Sequence, residues 1–117
     1  MHDKVVIYHN PRCSKSRQTL QLLRERGIEP EVVEYLKTPP SPAELKEILE
    51  RLGLEPRQLM RRKEAEYRTS GADDESLDQA QLIRILHEHP KLIERPIVLA
   101  AGRAAIGRPP EQVLEIL

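Results

Sequence analysis

Phenylalanine and tryptophan are absent from this chain of 117 residues, and Tyr8, Tyr35 and Tyr67 are its only aromatic side chains. A base-stacking surface of the kind used by single-strand nucleic-acid binders is therefore nearly excluded. An excess of either charge is also missing. Nineteen basic side chains balance nineteen acidic ones, so no global field draws the protein to nucleic acid or to an anionic membrane. Recognition by charge has to be local. Long apolar runs are lacking as well: the longest aliphatic stretch, 97–101, is far shorter than a membrane span, and residues 1–10 have no apolar centre of the signal-peptide kind. A cytoplasmic protein is expected. Cysteine is represented once, at Cys13. That excludes an internal disulfide and a cysteine-based zinc cluster, and any redox cycle through this thiol must take its second sulfur from another molecule.

What is present is enough for one aliphatic core. Val5, Val6, Ile7 and Tyr8 form a short run stopped by Asn10-Pro11, which predicts a buried strand and a turn. From Ser14 the spacing is helical, with Leu20 and Leu23 on one face and Gly27 as a left-handed stop. Residues 31–36 read as a second strand, giving β-α-β with a right-handed crossover. Ser41-Pro42-Ala43-Glu44 has the pattern of a capping box with proline at the first helical position, and Leu45, Ile48, Leu49 and Leu52 mark the buried face of the helix it starts. Pro56 opens a short helix through Met60, and residues 64–75 read as loop or weak helix. Asp78 with Gln81 caps a helix carrying Leu82, Ile85 and Leu86, which Pro90 closes. Residues 97–100 and 103–106 read as strands joined by a tight Ala101-Gly102 turn, and Pro109-Pro110 starts a last helix expected to bury Val113, Leu114 and Leu117. This order is that of an α/β, thioredoxin-like fold, a small mixed sheet flanked by helices with a helical insertion, although order alone leaves other α/β arrangements open.

Cys13 follows a strand and a turn at the start of the first helix, where unpaired amides and the helix dipole favour a thiolate. Arg12, Lys15 and Arg17 are adjacent, and His9 lies across the turn. The alternative is a small buried hydrophobe; the polar flank Ser14-Lys15-Ser16-Arg17 argues against it. A phosphatase-like anion loop would need arginine at position 19, which is Thr19, and a C-x-x-C dithiol would need cysteine at position 16, which is Ser16. What is left is C-x-x-S-R, a single nucleophile. Arg61-Arg62-Lys63, Arg95-Pro96 and Arg108-Pro109 supply guanidinium groups, which bind tetrahedral oxyanions bidentately and keep their charge. Each alone has the composition of a solvated surface group. A cis bond at Arg95-Pro96 would turn the chain toward Cys13. Asp73-Asp74-Glu75 reads as a solvated acidic loop and His87 and His89 fall on different helical faces, so no metal site is assigned.

The segments 8–17 (YHNPRCSKSR), 35–36 with 39–41, 59–63 (LMRRK), 94–98 (ERPIV) and 107–109 (GRP) resemble the ArsC family of glutaredoxin-linked arsenate reductases over essentially the whole chain, with special similarity to the YfgD-like branch. The resemblance implies one thioredoxin-like domain over 1–117, with the helical insertion at about 41–90. It implies a nucleophile at Cys13 and an oxyanion-binding triad of Arg61, Arg95 and Arg108. His9, Asn10, Ser16, Arg17 and Pro96 fall at supporting positions, His9 and Ser16 tuning the sulfur and Pro96 matching a cis-proline. No bound cofactor is implied: arsenate or a similar oxyanion is the substrate, glutathione the co-substrate and glutaredoxin the partner. Ser14-Lys15 depart from the small residues that follow the cysteine in arsenic-resistance members. Two other readings carry the same fold, a regulator of the Spx type that binds RNA polymerase and a thiol reductase acting on glutathionylated proteins.

Overall fold

The computed structural model describes residues 4–117. They form two compact units: residues 4–38 together with 95–117, and residues 39–94.

The first unit is built on a four-stranded sheet. Strands β1 (Val6–His9), β2 (Glu31–Glu34), β3 (Ile97–Ala100) and β4 (Arg103–Ile106) lie in the order β2-β1-β3-β4. β1 pairs parallel with β2, while β3 runs antiparallel to both β1 and β4. Helix α1 (Ser14–Glu25) makes the crossover between the two parallel strands. Gly27, at φ 78°, ends it as the sequence predicts: the Gly27 N–H donates to Arg24 O and the Ile28 N–H to Leu23 O, each at 3.0 Å, which gives partners to two carbonyls of the last turn. Ile7 and its cross-strand partner Val98 meet Leu23 of α1, Ala100, Val113 and Ile116 in the core. Burying such aliphatic side chains contributes about 1.5–3 kcal/mol each.

The differences from the sequence reading have local causes. β2 ends at Glu34 rather than at residue 36, because the Lys37 and Thr38 amides both donate to Glu34 O at 3.0 Å and close a turn; Tyr35 is buried within it and Leu36 is exposed. The C-terminal segment Pro110–Ile116 is a 3₁₀ helix, not an α-helix. Three residues per turn place Pro110, Val113 and Ile116 on one buried line, whereas Leu117, expected inside, is 47% exposed. The β3–β4 hairpin turns at Ala101 and Gly102, both at positive φ (53° and 74°), the pattern that matches the right-handed twist of paired strands.

The second unit is helical. α2 (Pro42–Leu52) starts at the predicted capping box, with Ser41 Oγ accepting from the Glu44 amide at 3.1 Å and Glu44 Oε1 accepting from the Ser41 amide at 2.9 Å. It packs against α4 (Gln79–Glu88), which Asp78 and Gln81 cap in the same way. Buried in α4 are Leu82, Ile83 and Leu86; Ile83 takes the inward place expected for Ile85. Within 64–75 one short helix forms, α3 (Glu66–Thr69). The acidic run after it is an architectural turn: Asp74 Oδ1 accepts from the amide and hydroxyl of Ser76, and Arg57 Nη2 donates to Asp74 O at 2.6 Å. Among the described residues no helix is long and apolar enough to cross a membrane.

Candidate active site

Every described group that closes around Cys13 below belongs to the first unit. The turn between β1 and α1 is shaped by Asn10, whose Oδ1 accepts from the Arg12 amide and whose carbonyl accepts from the Cys13 amide, each at 3.0 Å. Arg17 holds the same turn from the helix side, donating from Nη1 to Pro11 O at 2.9 Å. Asn10 and Arg17, two of the five residues expected at supporting positions, therefore build this loop. Arg12 is exposed.

Cys13 is the N-cap of α1, in extended backbone geometry (φ −95°, ψ 123°), and is 9% exposed. Burial acts to raise its pKa, yet the thiol lies below its ordinary value because the Ser16 amide, Arg95, the Lys15 amide and Arg108 outweigh that penalty. Arg108 makes the direct contact, Nη2 donating to Cys13 Sγ at 3.7 Å, and its Nε donates to Arg95 O at 2.8 Å. Arg108 is thus brought from the opposite end of the chain to the sulfur, with Arg95 near enough for its charge to act on it, and each follows the predicted pattern of preceding a proline. The Arg95-Pro96 peptide is cis, and so is Arg108-Pro109.

Around the same turn between β1 and α1 lies a buried polar cluster. His9 Nδ1 and Ser16 Oγ are 2.6 Å apart, and the same oxygen accepts from the Asn10 amide at 3.0 Å. His9 is 6% exposed and Ser16 fully buried. Burial lowers the His9 pKa; Glu34 acts against this, and Arg24 and Arg17 add to it, so the imidazole is neutral at neutral pH. Hence its proton sits on one ring nitrogen only. If that nitrogen is Nε2, the Ser16 hydroxyl donates to Nδ1; if it is Nδ1, Ser16 Oγ accepts twice, from the ring and from the Asn10 amide.

Two buried positions escaped the sequence reading. Thr19 is fully buried, its hydroxyl donating to Lys15 O at 2.8 Å, and Gly107 packs directly against it. The available signal was weak: a polar residue three positions after Ser16 on the stripe that ends at Leu23. Arg61 belongs to the second unit, where its guanidinium pairs with Glu64 at 2.9 Å and its amide donates to Leu92 O. Among the described residues no group of three or more His, Cys, Asp or Glu side chains is placed to hold a metal ion.

The family model for the ArsC family matches residues 8–116. The chain belongs to the ArsC family. It is 57% identical over 118 aligned residues to the uncharacterized protein YfgD of Escherichia coli K12, which covers 100% of this chain and 99% of that one. It is 53% identical to an arsenate reductase of Neisseria meningitidis (strain MC58), over 97% of this chain and 98% of the other. The solved structure of an arsenate reductase from Vibrio cholerae superposes with a TM-score of 0.95 at 55% identity, each chain covered in full. The mixed sheet with α1 as crossover is accordingly the thioredoxin-like ArsC fold, as the resemblance implies.

Proposed function

We propose that this ArsC-family protein is an arsenate reductase that uses Cys13 as its nucleophile and takes its electrons from glutathione and glutaredoxin. The observation that carries the reading is the Arg108 Nη2 contact to Cys13 Sγ at 3.7 Å, at a helix start whose amides also favour the thiolate. An anionic sulfur repels an anionic substrate unless cations stand beside it, and Arg95 and Arg108 supply fixed charge and planar forks for the oxyanion.

The chemistry follows from one thiol. Cys13 thiolate attacks arsenic(V), an arsenate oxygen leaves as water with protons carried by the oxyanion and solvent, and a sulfur–arsenic bond forms. A glutathione thiolate then attacks Cys13 Sγ. The sulfur–arsenic electron pair departs with arsenic, which leaves as arsenite, while the two sulfurs are oxidised to a mixed disulfide. With no second cysteine in the chain, the enzyme cannot resolve that bond itself. A glutaredoxin thiolate takes the glutathionyl group and returns Cys13 as the thiolate. Such a cycle fits a cytoplasmic protein, where those reductants are kept reduced.

Arsenite production in the presence of glutathione, glutaredoxin and its reductase tests the reading. Cys13→Ser should lower turnover by about a thousandfold or more. Wild type turning over no faster than Cys13→Ser refutes it, and stoichiometric capture of RNA polymerase without turnover would favour the regulatory reading instead.

A further inference from the structure

We propose that the contact between Gly107 and Thr19 sets the distance from the Arg108 guanidinium to the Cys13 sulfur, making Gly107 a positioning residue for the clamp. Gly107 is outside the left-handed region that would by itself call for glycine. Its missing side chain answers to space. A Cβ there would lie 2.5 Å from Thr19 Oγ1, 2.8 Å from Pro96 Cγ and 3.2 Å from Thr19 Cγ2, so the first contact is almost an ångström short of ordinary packing. Thr19 cannot swing aside freely, being fully buried with its hydroxyl on Lys15 O at 2.8 Å.

The segment resting on Thr19 is the one that carries the arginine. The Gly107 amide donates to Pro96 O at 2.9 Å, and the next side chain, Arg108, donates from Nε to Arg95 O at 2.8 Å before reaching Sγ with Nη2. Thr19 stands on the same helix whose first amides, those of Lys15 and Ser16, favour the thiolate. α1 thus acts as a ruler: sulfur at one end, Thr19 about a turn and a half along it, and Gly107 pressed on Thr19 so that Arg108 meets the sulfur. A methyl at Gly107 wedges the segment off the helix and draws Nη2 away.

The proposal deepens the site on which the arsenate reading rests, but its readout is the ionisation of Cys13, so the two can fail separately. Alkylation of the full-length protein by iodoacetamide across a pH series reports that ionisation. Gly107→Ala should raise the midpoint by about half a pH unit or more, as expected when a nearby cation retreats. Adding Thr19→Ala removes both threonine atoms in the way and leaves Pro96 Cγ, at 2.8 Å, as the remaining close contact, so the midpoint should return most of the way to that of Thr19→Ala alone. Adding Thr19→Ser, which keeps Oγ1, should leave it raised. A folded Gly107→Ala protein with the wild-type midpoint overturns the proposal, as does a double variant with Thr19→Ala that stays half a pH unit or more above Thr19→Ala alone. Should Gly107→Ala alone not fold, the double variant decides by the same comparison. If neither folds, Gly107 serves folding alone and the proposal is wrong.

Discussion

The three longest helices begin in two different ways. α2 and α4, in the helical unit, are closed by reciprocal boxes, Ser41 with Glu44 and Asp78 with Gln81, which satisfy amides at the helix start and bring a side-chain acceptor to each. α1, in the sheet unit, has Cys13 at its N-cap, no side-chain cap bond and no acidic residue in its first turn. An unneutralised positive helix end costs stability in a scaffold. At α1 the group able to cap it is the thiolate itself, and the open helix end favours that charge. The contrast teaches that one structural position, the helix start, is closed by a side-chain acceptor when it is filled by Ser or Asp and left open to favour a thiolate when a sulfur stands there.

The contrast is broken most severely at its cations. Arg95→Lys should reduce arsenite production by about tenfold to a hundredfold, since lysine keeps the charge and loses the fork. Arg57→Lys, at a guanidinium that holds the Ala72–Asp74 turn, should stay within about twofold of wild type. Equal loss in the two variants would remove Arg95 from the clamp. A smaller effect of the opposite kind is expected at α2. Ser41→Ala should cost about 1 kcal/mol in urea denaturation while leaving the alkylation midpoint of Cys13 unmoved; a shifted midpoint would mean that the two helix starts are not independent. Smallest is the linkage of the thiol to stability. Between the depressed folded pKa of Cys13 and about 8.5, the ordinary thiol value, the unfolded chain still holds a proton that the folded chain has lost. Stability therefore rises with pH across that window, and the contribution is lost as pH falls through the folded value. Urea midpoints over that range should flatten in Cys13→Ala.

The parts of the molecule legible in the sequence are those written in adjacent residues. Ser41-Pro42-Ala43-Glu44 and Asp78 with Gln81 announce their boxes, Gly27 announces its stop, and the position of Cys13 between strand and helix announces a thiol held below its ordinary pKa. Arg95 and Arg108 were visible as residues preceding prolines, but their meeting at Cys13 depends on β3 pairing beside β1, which no local pattern encodes. The C-terminal segment misled because a period of three and one of 3.6 diverge only after two turns, so Ile116 and Leu117 exchange places. Thr19 and Gly107 stayed hidden for a similar reason: a close approach between residues far apart in the chain leaves no mark on either sequence neighbourhood.

The hairpin turn at Ala101 holds an untapped reserve. An L-amino acid with a Cβ in the left-handed region pays about 1–2 kcal/mol that glycine or asparagine largely escapes. Replacing this alanine would therefore yield a sturdier host, in which costly alterations elsewhere in the same unit, an added methyl beneath the arginine among them, become tolerable enough to measure.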